Sequence, residues 1–377
     1  MLPLLLLCAA PPAVPTVWNL PGADGNVVTV AAGTVPAQKC GDRLVFVAPA
    51  GGPPAVTAAT RNYVKAPPQF RLFAEPGKHI DFKYDDRPVV RFACATHDTS
   101  SPDAHELTFK PFYHVYDPAT GRTLLTNGPG LAKDKSQLYP HHRGLFYAFN
   151  KISYGDQKDV DVWHGRKNEF VSFDKTLAEE TGEVFAKHRA ALTWHGRDGK
   201  PFAAEERALT AYAAPGGTLL DFASTLTTDR PSVKLDGDPQ HAGFHFRAAM
   251  EVKDHGKQDT YYLRPDGKGK MGETRNWNPK DGKGPVDLPW NAISFVVKGN
   301  RYTVLRIDHP ANPKPARGSE REYGRFGDYF AFHLTPTTPL SVKYRVWVQA
   351  GEMTVAECEA MATGFVEPPV ATAKAGG

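Results

Sequence analysis

Apolar and polar residues alternate along much of the chain with the period of two that marks half-buried strands. In 186–194, Ala186, His188, Ala190, Leu192 and Trp194 share one parity, while Lys187, Arg189, Ala191 and Thr193 share the other. Segments 203–213 and 218–227 continue the pattern as a meander of long strands, which predicts a large antiparallel sheet. Near the C-terminus Leu340, Val342, Tyr344, Val346 and Val348 alternate with Ser341, Lys343, Arg345 and Trp347. Segments 79–84 and 89–93 flank Asp85-Asp86-Arg87-Pro88, and 293–297 and 302–307 flank Gly299-Asn300. Both read as hairpins. Thr354-Val355-Ala356-Glu357 has capping-box spacing and predicts one short helix. The fold class is therefore all-β: a large, mostly antiparallel β-sandwich over 75–350 with few short helices.

Outside that body the pattern loosens. MLPLLLLCAAPPA, residues 1–13, reads as a signal segment, so the mature chain is expected to be exported, periplasmic or extracellular. Residues 14–70, rich in Gly, Pro and Ala, hold strand candidates at 27–30 and 44–47 and form an N-terminal β appendage or arm. Residues 351–377 give the short helix and a flexible tail. The insert 251–288 mixes Lys, Asp, Gly and Pro and predicts a loop or lid over one sheet edge. No stretch reaches the length of a membrane span, so no integral span is expected.

Charge and cysteines narrow the function classes. There are 45 basic and 41 acidic residues, a net charge of +4, which is too balanced to imply a nucleic-acid partner. The four cysteines, Cys8, Cys40, Cys94 and Cys358, are far apart and lack metal-finger or redox spacing. No phosphate-binding glycine loop, G-x-S-x-G elbow or cysteine nucleophile constellation occurs.

The chemistry concentrates around SQLYPHHRGLFYAFNKISYGDQKDVDVWHG, residues 136–165. Pro140 biases Tyr139 toward an extended conformation, and in an extended segment the adjacent His141 and His142 face opposite ways. Trp163 and His164 follow. In the run 241–248, His241, Gly243, His245 and Arg247 share one face, and Ala242, Phe244, Phe246 and Ala248 the other. Asp308-His309-Pro310-Ala311-Asn312-Pro313 is a rigid polar loop. Imidazoles serve proton transfer near neutral pH, so His141, His142, His164, His241 and His309 are candidate acid/base residues. Asp308 or Glu205 is the candidate complementary acid. Imidazoles also suit transition metals. A divalent ion on His142, His164, His241 or His245 stays open, although no obligatory cofactor is expected. Arg143, Arg247 and Arg321 offer rigid donor forks for a carboxylate or hydroxyl-rich ligand. Trp163 and Trp277 could stack on a sugar ring. The ordinary reading of Glu206 and Arg207 is a salt bridge.

Taken together, PHHRG at 140–144, Trp163-His164-Gly165, FHFR at 244–247, HPANP at 309–313, REYG at 321–324 and YR at 344–345 resemble a bacterial domain family of unknown function. That family carries the label of a methane oxygenase subunit. Its motif has Asp-His where this chain has Leu138-Tyr139, and its FWG element becomes VWHG at 162–165. A membrane oxygenase subunit needs spanning helices, which a β-rich pattern does not supply. The resemblance implies instead a galactose-mutarotase-like supersandwich and a carbohydrate-related role. The expected function is an enzyme acting on a saccharide or sugar acid by hydrolysis, elimination or isomerisation, with histidine acid/base chemistry. A noncatalytic glycan-binding protein and a structural cell-envelope protein are the other two readings.

Overall fold

The computed structural model describes residues 14–31, 33–49, 55–128, 138–366 and 369–373. The expected signal segment, 1–13, lies outside these residues. Among the described residues strands hold 53% and helices 8%, so the all-β expectation holds. The chain divides into two units, 63–352 and a smaller one that joins 1–62 to 353–377.

The larger unit is built on two nine-stranded antiparallel sheets. The first runs, edge to edge, through Arg275–Asn276, Arg317–Arg321, Arg325–Tyr329, Ala242–Arg247, Leu145–Phe149, Phe112–Val115, Arg87–Ala93, His79–Tyr84 and Phe70–Glu75. The second runs through Phe170–Glu180, Phe185–His195, Pro201–Ala214, Gly217–Thr227, Leu340–Ala350, Asn300–Asp308, Trp290–Val297, Tyr261–Arg264 and Gly267–Lys268. Along Phe185–His195 the apolar parity is buried and the charged parity is not, because only one face of that strand meets the core. Aromatic side chains join the sheets. Tyr147 meets Trp194 at 6.1 Å between ring centroids, Phe244 meets Tyr344 at 4.5 Å, and Phe246 meets Phe295 at 5.9 Å. Each fully buried ring contributes roughly 1.5–3 kcal/mol of apolar burial.

Leu145–Phe149, Ala242–Arg247 and Arg325–Tyr329 are buried at every position. One parity (Tyr147, Phe244, Phe246) enters the core, so the other must be covered by something else. A layer of turns covers it. A four-stranded sheet, ordered Gln157–Val160, Lys151–Tyr154, Val233–Asp236 and Phe332–Leu334, feeds that layer.

In the smaller unit six strands, Pro15–Pro21, Arg43–Pro49, Gly33–Cys40, Val27–Val30, Ala55–Ala59 and Thr372–Ala373, enclose Trp18, Leu20, Val28, Phe46 and Val56. The helix Val355–Val366 starts at the expected capping box: Glu357 N–H donates to Thr354 Oγ1 at 3.2 Å, and Thr354 N–H to Glu357 Oε2 at 2.7 Å.

Two expectations need correction. Residues 251–288 are not one loop, since they hold the helix Val252–Asp259 and the strand Tyr261–Arg264, whose four residues are all buried. That strand is too short to stand out against its polar flanks. The tail is not wholly free of structure, because Thr372–Ala373 pairs in parallel with Ala55–Ala59. No helix among the described residues is long and apolar enough to cross a membrane.

Candidate functional site

Four turns converge on the first sheet's outward face. The turn before Leu145–Phe149 carries Tyr139, His141 and His142. Asp161 and His164 follow directly after the strand Gln157–Val160. Asp238 and His241 follow the strand Val233–Asp236. Tyr323 comes from the turn between Arg317–Arg321 and Arg325–Tyr329. Lys151–Tyr154 lies between the strands that feed the two aspartate turns and pairs with both. This pairing brings residues 161–164 and 238–241 together despite their separation in sequence.

The histidine turn is not extended. Tyr139 has φ +56°, a left-handed conformation uncommon for a bulky residue. His142 N–H donates to the Tyr139 carbonyl at 3.0 Å. The chain reverses, and both imidazoles enter one cluster with rings 4.4 Å apart. The expected opposite facing of His141 and His142 is therefore corrected. Gly144 follows at φ +46°, where an added Cβ would sit 2.0 Å from the Tyr113 carbonyl oxygen. Only glycine lets the turn press against that strand.

Around His141 lie His142 and His164, each at 4.4 Å, and His241 at 6.3 Å; His164 and His241 are 5.0 Å apart. Tyr139 and Tyr323 flank His142 at 5.4 and 6.4 Å. Two carboxylates set the partly exposed histidines. The Nδ1 of His164 lies 2.7 Å from Asp161 Oδ2, and that of His241 lies 2.9 Å from Asp238 Oδ1. The backbone fixes both acids. Asp161 Oδ1 accepts from the N–H groups of Trp163 and His164, and Asp238 Oδ1 from that of Gln240. Asn150 also donates to Asp238 at 3.0 Å. A carboxylate on Nδ1 makes Nε2 the nitrogen available to a ligand.

His142 is 1% exposed, and neither ring nitrogen has a partner among the described residues. The Nε2 of His141 is also without one. Burial, then the neighbouring His164 and Lys110, pushes the His141 pKa far below the usual imidazole value. Burial and then His141 do the same to His142. Burial also lowers His164, against the raising effect of Asp161. Burial thus disfavours the charged form of all three rings. Burial opposes the Asp238 carboxylate, but the His241 hydrogen bond and its other donors outweigh it and hold its pKa below the usual range.

The other sequence candidates take different places. Arg247 is buried in the same layer, 4.7 Å over the Tyr323 ring and donating to the Tyr323 carbonyl. Arg321 is partly exposed at the rim, with Gln240 at 3.3 Å. Trp163 is fully buried, 4.6 Å from Phe146 and 5.7 Å from His142, so it supports the histidines and presents no face to a sugar. His245 uses both nitrogens, one with the Ala242 carbonyl at 2.8 Å and one with Arg325 at 3.1 Å, which removes it as a metal candidate. Arg143 is buried over Phe109 at 4.2 Å and donates to Glu106, so it braces the turn and does not hold substrate. Glu205 is locked between Arg207, Trp194 and Ser224 in the core, too buried to serve as the complementary acid. Arg207 thus pairs with Glu205, while Glu206 pairs with Arg189. Asp308 is held by Asn312 and Lys314 at the end of a second-sheet strand, and His309 follows it. Trp277 lies at the far edge of the first sheet under Arg317.

Reading the sequence missed Asp238, Tyr139, Tyr323 and Lys110. Lys110 Nζ donates to the Trp163 carbonyl at 2.5 Å, and its pKa is pushed well down by burial and then by Arg143. A signal for Asp238 was present. DVWH at 161–164 and DPQH at 238–241 repeat one spacing, Asp-x-x-His, that lets an aspartate cap a turn and hold the histidine three residues on.

Comparison with known proteins places the chain. Residues 79–363 match a protein family described as a family of unknown function, DUF6807. None of the curated proteins matches. Among solved structures, a galactose mutarotase related enzyme from Lactobacillus acidophilus aligns at 10% identity and a TM-score of 0.34. The alignment covers 76% of this chain and 98% of that one. A galactose mutarotase-like protein from Clostridium acetobutylicum aligns at 9% identity and a TM-score of 0.33, covering 75% and 98%.

Proposed function

The chain belongs to the DUF6807 family, and we propose that it is an enzyme acting on a saccharide or sugar acid by hydrolysis, elimination or isomerisation. One observation carries the reading. The Asp161–His164 pair, closed at 2.7 Å, stands among three further histidines beneath a partly exposed rim. Asp161 orients the imidazole and stabilises it when protonated, the arrangement that makes a histidine an effective general acid/base. His164 takes a proton from a substrate hydroxyl or carbon and returns it later in the cycle. Arg321 and Gln240 at the rim offer donors and an acceptor to hydroxyl or carboxylate oxygens. Tyr139, 41% exposed, offers a ring face to a sugar. Loss of one positioned proton carrier typically lowers the rate about 10²–10⁴-fold.

The test is a screen of plant and algal oligosaccharides, oxidised sugars included, with products identified by mass spectrometry. Wild type is run beside His164→Asn. Turnover that falls in the variant while its circular dichroism spectrum is unchanged supports the reading. Turnover at the wild-type rate in His164→Asn contradicts the role of the pair. Glycan binding with no product across the screen replaces the enzyme with a binding protein.

A further inference from the structure

We infer that His141, His142 and His241 form a three-imidazole site for a divalent transition-metal ion of the zinc class. Each contributes one ring nitrogen, and the three lie within 4.8 Å of one another. A tetrahedral ion with Zn–N bonds of about 2.0–2.1 Å sets its ligands roughly 3.3 Å apart, so modest ring rotations close the set. The site does not depend on the ligand being a sugar.

Three independent features point to an ion. The first is the state of His142: buried, with neither ring nitrogen hydrogen-bonded among the described residues. An unsatisfied buried polar group destabilises the fold, and a bound ion removes that cost for the ligating nitrogen. His141 Nε2 is open in the same way. The second feature is Asp238. It holds His241 through Nδ1 and is itself held by Asn150 and the Gln240 N–H. A carboxylate behind a histidine, itself hydrogen-bonded, is the outer arrangement that orients metal-ligating imidazoles and raises their basicity. The third is the donor set. Three imidazole nitrogens suit zinc and its transition-metal neighbours, whereas magnesium and calcium require oxygen ligands. Arg247 sets positive charge near the cluster, and Asp161 and Asp238 oppose it.

Three protein ligands leave a position open, as in catalytic zinc sites. His164, which stays with Asp161, has its ring 4.4 Å from that of His141 and 5.0 Å from that of His241, so an ion held by the three would sit near the proton carrier.

The test uses the full chain, stripped with a chelator and dialysed. Zn²⁺ is titrated by calorimetry, and Co²⁺ by its visible absorption, which reports nitrogen coordination independently of activity. One equivalent is expected. Asp238→Asn lowers affinity by roughly 10–100-fold, and His142→Ala and His241→Gln lower it further. His241 has a side chain 30% exposed, so its variant is expected to fold even where the buried substitution fails. Substoichiometric uptake, or affinity unchanged in His241→Gln, overturns the site. A chain that binds zinc and converts no sugar keeps this inference and loses the preceding one. A chain that converts sugar and binds no ion does the reverse.

Discussion

Two groups of buried polar side chains lie on opposite sides of the first sheet, and they differ in how completely they are satisfied. Between the sheets, Arg306 donates to both Asp328 oxygens at 3.1 and 2.6 Å and to Asn291 at 3.3 Å. Asn291 donates to Glu320 at 2.9 Å, and Arg264 donates to the other oxygen of Glu320 at 2.8 Å. On the outward face, His142 has no side-chain hydrogen bond among the described residues, and His141, Arg247 and Arg321 each keep an unpartnered nitrogen. Burial alone does not separate a scaffold from a site, since His142 and Arg247 are as buried as Arg306 and Asp328. What marks His142 is that both its ring nitrogens are unused at once; single unpartnered atoms also occur between the sheets, at the Tyr113 and Tyr147 hydroxyls, and on the bracing Arg143. Native interiors rarely leave a buried polar group without a partner, and strongly perturbed groups gather where function needs them.

The largest effect is expected in the hydrogen-bonded network between the sheets. Arg306→Ala leaves the Asp328 carboxylate buried without its partner and is expected to cost about 3–5 kcal/mol, read by urea denaturation. The double change Arg306→Met with Asp328→Leu removes both charges and is expected to recover most of that loss. If the single variant unfolds at the wild-type midpoint, the network is not the structural tie described here. On the open side the expected loss is in rate. His164→Asn lowers turnover about 10²–10⁴-fold with the midpoint close to wild type. A comparable fall in stability would move His164 to the scaffold.

A third group sets the lower bound. Arg189 and Glu206 pair on the surface at 2.7 Å, with side chains 38% and 48% exposed. A double-mutant cycle on them is expected to return about 0.2–1 kcal/mol, vanishing in high salt. A coupling above 2 kcal/mol would show that exposure is a poor guide to the worth of a pair in this protein.

How far the sequence shows these groups follows from what periodicity can encode. Alternation identified the long strands, and it placed His245 and Arg247 opposite Phe244 and Phe246, because strand parity is a local property. Asp308, His309 and Glu205 were candidates through residue type and loop context. Their places depend on sheet order, which separates them from His141 although the Asp238 turn, far off in sequence, comes close. Trp163 read as a stacking platform because hydropathy does not show that Phe146 and His245 enclose it. The facing of His141 and His142 depended on Tyr139, whose left-handed backbone overrides the bias imposed by Pro140. The repeated Asp-x-x-His turns were legible in principle, since each is held by contacts within four residues. Their meeting depends on the pairing of Lys151–Tyr154 with two other strands, which is not a local property.

On the proposed reading His142 serves function and not folding, and the stability of His142→Leu is the sharpest check of it. The change fills nearly the same volume and removes both unpartnered nitrogens. With metal excluded by a chelator, an unfolding free energy equal to wild type or about 1 kcal/mol higher is expected; when zinc is added back, the variant is expected to have lost zinc uptake and turnover. A fall of roughly 3 kcal/mol or more in the same chelator-treated comparison would contradict it and make His142 part of the scaffold.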